Sequence, residues 1–287
     1  MGKGKAYIKY IAGLLLFGSN GVAASFISLN SYEIVLLRSF LGSLMLLGIF
    51  LISGQRFTAL RYKRDFVFIA LSGVAMASDW LFLFEAYAQI GVSLSLLINY
   101  SGPVIVMALS PLMFQEQLTL RKVSALLAAL AGLLLIVGAG SGGGFDLMGF
   151  ACAVLSAFSY VAMVICNKKS DHVIGMENSL LQLLTTLAVV AVFVGVKQGF
   201  AMNISPGDRL PILWLGFINT GIGCCLYFSS IGSLPVQTVA ICGYLEPLSA
   251  MVMAALILKE TMLPVQYLGA VLIIGGALLG EGVFKRK

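Results

Sequence analysis

Residues 243–261 read GYLEPLSAMVMAALILKET, and residues 99–117 read NYSGPVIVMALSPLMFQEQ. Set in register at an offset of 144 residues, Tyr244 falls on Tyr100, Pro247 on Pro103 and Glu260 on Glu116; further along, Gly276 falls on Gly132. Each stretch is an apolar run broken by a proline. Proline has no N–H to give to the carbonyl four residues back, and its ring crowds that carbonyl. Pro103 does this to Asn99, and Pro247 to Gly243. Both helices are therefore expected to kink, each leaving a carbonyl short of a donor. Glu246 adds a carboxylate beside the second kink, where the first stretch has Gly102.

The surroundings fix the solvent. The chain has 287 residues, 60% of them hydrophobic and only 10% charged, with a mean hydropathy of +1.01. A soluble domain carries about 25% charged residues. This one has too few polar groups to cover a water-facing surface, so a lipid bilayer is its expected partner. The net charge of +6 does not point to nucleic acid, because the basic residues gather in short loops between apolar runs, as membrane insertion arranges them. The five cysteines lie in apolar stretches without a C-x-x-C, and read as small buried hydrophobes with reduced thiols. The single histidine, His172, lies in a short polar loop. Neither a metal site nor a cofactor is called for, and nothing sets an oligomeric state.

A spanning helix needs about 20 mostly apolar residues. Ten such stretches are legible, at roughly 7–28, 32–53, 66–89, 92–114, 122–139, 147–167, 176–197, 209–231, 235–258 and 264–283. Placing the N-terminus inside puts Lys3, Lys5, Lys9, Arg56, Arg61, Lys63, Arg64, Arg121, Lys122, Lys168, Lys169, Lys285, Arg286 and Lys287 on the cytoplasmic side. Only Lys197, Arg209 and Lys259 are left outside. By the positive-inside rule both termini are cytoplasmic, in a multi-pass protein of the plasma or inner membrane. GVAAS at 21–25 has a trace of a signal-peptide cleavage site, but the apolar run is too long for one. The offset divides the chain into residues 1–139, a Gly-rich connector at 140–146, and residues 147–287. Each half holds an odd number of helices, so the second must thread the membrane in the opposite sense. The expected fold is thus an all-α integral membrane protein of ten transmembrane helices in two inverted-topology five-helix repeats, an arrangement typical of transporters.

The two quoted stretches each continue into a Gly-rich helix, and FGSNGVAASF (17–26) and LLRSFLG (36–42) precede them. In order and spacing the chain resembles the drug/metabolite transporter superfamily, EamA type, over essentially its whole length. That resemblance implies export or exchange of small metabolites, often amino acids. It also implies a central cavity lined by helices 1, 3, 4, 6, 8 and 9 of the ten.

An ionised group at the bilayer centre costs about 2.5–3.5 kcal/mol on insertion scales, so such groups face protein or water. Four qualify: Arg38, Asp79, Glu85 and Glu246. Glu246 is expected near the midplane, touching a substrate amine, carrying a coupling proton, or both; a structural carboxylate bonded to a neighbouring helix is the alternative. Arg38 and Glu85 match in depth and are expected to form a structural ion pair. On that pairing, Arg38→Ala lowers expression more than it alters specificity; a role for Arg38 in binding a substrate carboxylate is the minority reading. Asp79 either faces the cavity or completes the Arg38 network. Asn20, Asn99, Tyr100, Tyr160, Asn219, Tyr227 and Tyr244 are the expected polar and aromatic walls of a substrate site. Gly18, Gly21 and Ser25 form a small-residue ridge suited to close helix packing. Glu116 and Glu260 are expected to accept bonds from the N-terminal amides of the helix that follows each.

These features favour a secondary transporter of a small-molecule substrate, working by alternating access, with protons as a candidate coupling ion. No P-loop is present, so ATP is not a direct energy source. Three acids against one arginine favour zwitterionic or cationic cargo. Amino-acid-like zwitterions come first, followed by lipophilic cations or drugs and by nucleobases or nucleosides. An intramembrane enzyme finds little support, for the sequence has no H-E-x-x-H, no intramembrane histidine and no Ser/His or Cys/His pair. A passive channel fits the composition but not the repeat.

Overall fold

The structure, a computed structural model, describes residues 3–90, 92–137, 146–259 and 263–281. Most of the Gly-rich connector, and Glu260, lie outside these residues. Every regular element among the described residues is helical: α1 (Lys3–Gly18), α2 (Asn20–Ala24), α3 (Ser31–Ile52), α4 (Lys63–Ile90), α5 (Val92–Asn99), α6 (Gly102–Phe114), α7 (Leu120–Val137), α8 (Leu147–Lys168), α9 (Met176–Lys197), α10 (Arg209–Leu213), α11 (Cys224–Ile231), α12 (Val236–Gly243), α13 (Leu245–Ile257) and α14 (Pro264–Glu281). A π-helical segment, Trp214–Gly223, joins α10 to α11. Among the described residues, six helical stretches are long and apolar enough to cross a membrane: Ser31–Ile52, Lys63–Tyr87, Leu147–Lys168, Met176–Lys197, Pro206–Ile231 and Val236–Ile257. Gly102–Phe114 and Pro264–Gly280 are shorter apolar helices.

Local chemistry sets many of the boundaries. Asn30 caps α3 in a reciprocal capping box with Glu33, and Asp146 caps α8 by accepting the Gly149 amide at 2.8 Å. Pro264 opens α14 and Pro235 directly precedes α12, positions where a missing N–H costs nothing. α4 packs along α8, α7 along α14, and α3 between α9 and the π segment, while α1 lies against α11 and α13. The main core gathers Tyr10, Leu14, Phe50, Leu180, Leu183, Ile231 and Tyr244.

Carboxylates tie together the face on which α1 begins. Asp65 accepts the backbone amides of Asp171, His172 and Val173 at 3.1, 2.6 and 3.2 Å. Glu177 accepts those of Thr58 and Ala59 at 2.6 and 2.8 Å. Glu116 accepts amides at 2.7 and 3.2 Å, but from Val236 and Gln237, which open α12. The helix that follows Glu116 in sequence is α7, so the expected donor is replaced by a distant one. The acid serves the positive end of a helix dipole, and that end belongs to the other half of the chain. The Lys168 ammonium donates to the carbonyls of Ile231 and Leu234, neutralising the negative end of α11.

The glycines matched in sequence lie on one seam, between α7 and α14. A Cβ on Gly132 would lie 2.5 Å from the carbonyl oxygen of Gly269, and one on Gly276 would lie 2.6 Å from that of Ala125. α7 and α14 therefore approach with backbone against backbone, as small residues permit inside a membrane. Gly18 packs as closely on α13, against Ser249 and Ala250, whereas a Cβ on Gly21 would meet nothing within 4 Å. The ridge read on the first helix is thus part contact and part open. Gly132→Ala should destabilise the protein by about 1–3 kcal/mol, the usual cost of overpacking. Gly48→Ala, where a Cβ meets nothing within 4 Å, should be neutral. Thermal unfolding of the detergent-solubilised variants measures both.

Candidate functional site

Four departures from regular α-helix converge in the bundle. α1 stops at Gly18 and α2 resumes at Asn20; between them the Ser19 hydroxyl donates back to the Leu16 carbonyl at 2.8 Å, a local bond that competes with helix continuation. α5 and α6 part at Tyr100 and Ser101, and α12 and α13 at Tyr244, each just ahead of a proline. The fourth departure is the π segment. The Tyr244 hydroxyl donates to the Tyr100 carbonyl at 2.9 Å, with the two rings 6.2 Å apart. One break thus hydrogen-bonds to the other, at the carbonyl one residue along from that of Asn99.

Around these breaks lies a cavity of about 440 Å³. α1 and α2 contribute Phe17, Asn20 and Gly21, and α3 contributes Arg38. Asp79, Trp80, Phe84 and Tyr87 come from α4, Asn99, Tyr100 and Pro103 from α5 and α6, and Tyr160 from α8. Tyr227 and Glu246 complete the wall from α11 and α13. On α1 and α4 these residues lie in the second half of the helix, and Glu246 stands in the first turn of α13, directly after the break at Tyr244. The cavity floor is aromatic. The rings of Tyr10 and Tyr227 stand 5.2 Å apart and those of Phe17 and Tyr227 5.8 Å apart, and the buried Tyr10 hydroxyl donates to the Val239 carbonyl at 2.8 Å.

The charged residues differ in what holds them. Asp79 is buried, and one carboxylate oxygen accepts both the Asn99 amide at 2.9 Å and the Ser156 hydroxyl at 2.6 Å. Arg38 is buried too. Its Nε donates to Thr220 at 2.9 Å and an Nη to the Asn20 carbonyl oxygen at 3.3 Å, and its guanidinium sits 4.4 Å above the Trp80 ring. The Glu246 carboxylate lines the cavity and accepts no hydrogen bond among the described residues.

Three expectations are corrected. Arg38 and Glu85 do not pair. Glu85 accepts from the Tyr32 hydroxyl, from Gln89 at 2.9 Å and from the Lys197 ammonium at 3.2 Å, and it does not line the cavity. Matching depth left the direction around each helix unspecified, and Lys197, at the end of α9, reaches Glu85 instead. Asn219 is fully buried behind the wall and bonds Ser19 and Asn20, each at 2.9 Å; the π winding turns it toward the α1–α2 break. Tyr244 is also fully buried, with its hydroxyl engaged by Tyr100. Trp80, Tyr87 and Thr220 were not anticipated. The glycines at 216, 221 and 223 hinted at irregular winding around Thr220, but nothing local marked Trp80.

Comparison with known proteins fits this arrangement. The chain matches the EamA-like transporter family over residues 4–138 and again over 146–280. It belongs to that family. An uncharacterised transporter of Bacillus subtilis is 29% identical over 280 residues, covering 96% of this chain and 89% of its own. A Salmonella typhimurium protein named "Probable amino-acid metabolite efflux pump" is 26% identical over 192 residues, 62% of this chain and 64% of its own. A crystal structure 17% identical shares the fold with a TM-score of 0.83, covering 97% of this chain and 98% of its own. This EamA-family chain is accordingly a multi-pass membrane transporter, and its family implies a small-molecule substrate.

Two substitutions check how the charges are held. Asn219→Ala breaks a buried network and should cost about 1–3 kcal/mol. Glu85→Gln loosens a partly exposed pair and should cost under about 1 kcal/mol. Thermal unfolding in detergent ranks them, and a larger loss for Glu85→Gln would restore it as the main structural charge.

Proposed function

We propose that this chain is a secondary transporter, an exporter or exchanger of amino-acid-like zwitterions. In this reading the ten apolar stretches form two inverted five-helix repeats with both termini in the cytoplasm. The cavity is the site that alternates between the two faces. The observation that carries the reading is the Glu246 carboxylate, which faces the cavity beside a helix break with no hydrogen-bond donor among the described residues. A carboxylate kept in a membrane without a partner is costly, and a substrate ammonium or a coupling proton would relieve that cost. A cavity of about 440 Å³ falls in the ~300–1,000 Å³ range of small-molecule sites. The names of the Salmonella typhimurium relative and of an Escherichia coli relative, 27% identical over 57% of this chain, agree with amino-acid-like cargo.

A second reading, lipophilic-cation efflux, is favoured by the aromatic walls and opposed by Arg38. Flux in proteoliposomes tests both. Saturable amino-acid uptake with trans-stimulation supports the first, quaternary-cation flux alone supports the second, and linear, unsaturable flux contradicts a carrier altogether. Glu246→Gln should insert and fold normally yet lose transport or its coupling to pH. Wild-type flux from that variant across a range of pH would remove Glu246 from the site.

A further inference from the structure

Arg38 is the unexplained charge once its expected partner is gone. A guanidinium carries five N–H donors, and the hydrogen bonds of Arg38 go to Thr220 and Asn20. Both partners are neutral, as is the Trp80 ring beneath. The ion pairs among the described residues are His172–Asp65 and Lys197–Glu85, and neither involves Arg38. A desolvated cation held only by neutral groups keeps its charge available and bears the penalty of having no counter-ion.

Glu246 presents the mirror case on the same cavity, an acid with no donor among the described residues, and Arg38 does not reach it as an ion pair. Asp79 is different, because Asn99 and Ser156 already occupy one of its oxygens. Among the described residues the cavity therefore offers one positive group, Arg38, and one acid with no hydrogen-bond donor, Glu246, beside a second acid, Asp79, that neutral donors hold.

The geometry points to a two-pole site in which the Arg38 guanidinium takes the carboxylate of a free amino acid and the Glu246 carboxylate takes its ammonium. This rests on reading the cavity as a substrate site and adds to it the residue that reads the carboxylate. The planar fork of arginine matches a carboxylate in shape as well as charge, and Thr220, Asn20 and Trp80 hold it in place before a ligand arrives. A simple amine would leave Arg38 unmatched, and a simple acid would leave Glu246 unmatched. Discrimination thus comes from the repelled pole as much as from the attracted one. Phe17, Phe84 and Tyr87 remain to surround an apolar side chain.

The test is binding to purified protein, read by thermal stabilisation with free L-amino acids. Any amino acid that binds is then compared with its amide, which lacks the carboxylate, and its N-acetyl derivative, which lacks the ammonium. Wild type should prefer the free amino acid by about thirty-fold or more over either derivative, the usual loss when a desolvated charge loses its partner. Arg38→Gln should lose that preference over the amide but keep it over the N-acetyl derivative, and Glu246→Gln should do the reverse. Arg38→Lys, which keeps the charge and loses the fork, should fall between wild type and Arg38→Gln. If Arg38→Gln does not fold, the wild-type ranking and Arg38→Lys decide. A wild type that binds no amino acid would overturn the substrate reading and this site with it. A wild type that binds amino acids and their amides equally would overturn only the two-pole site. So would an Arg38→Lys variant indistinguishable from wild type.

Discussion

The arrangement depends on a single constraint: inside a membrane, a backbone carbonyl that loses its helical donor must find another in the protein. Pro103 and Pro247 impose that loss on two helices. The hydroxyl of Tyr244 reaching the carbonyl of Tyr100 brings the two breaks together. Tyr100 and Pro103 at the first break and Glu246 at the second line the cavity. The break at Ser19 and the π winding of Trp214–Gly223 widen that cavity from the other side. The cavity is where four interrupted helices fail to fill space.

Charge follows from that gap. Arg38, Asp79 and Glu246 can stay in the bundle because they border the cavity instead of lipid. They are held unequally, Asp79 by two donors, Arg38 by neutral acceptors and an aromatic face, Glu246 by none. Stability alone would favour pairing them, since a buried ion without a counter-ion is costly. That Arg38 and Glu246 border one cavity without pairing with each other is the feature best explained by a ligand carrying both charges.

Much of this was legible in the chain itself, wherever the signal was covalent or local. A proline breaks a helix whatever surrounds it, so the interruptions at Tyr100 and Tyr244 could be read directly. Gly132 and Gly276 stood out as matched positions of the repeat, and the close approach they allow shows only in the packed structure. What could not be read was direction. Depth paired Arg38 with Glu85, but the azimuth of each helix sent Glu85 to Lys197. A spacing of four placed Asn219 on the same face as Tyr227, and the π turn between them broke that phase. Glu116 was recognised as a helix-dipole partner, yet its helix lay across the fold and not next along the chain. Trp80 had no local signal, since only the packed structure places its ring under Arg38.

Glu246 lines a cavity enclosed by the helix breaks, and a transport site there must be reached from water. The most direct measurement is labelling of Glu246→Cys, in a variant lacking the native cysteines, by a membrane-impermeant thiol reagent applied from each side. Val252→Cys, on the exposed outer surface of α13, is the lipid-facing control. The account predicts that Glu246→Cys is labelled much faster than Val252→Cys from at least one side. Labelling no faster than the control from either side would contradict it.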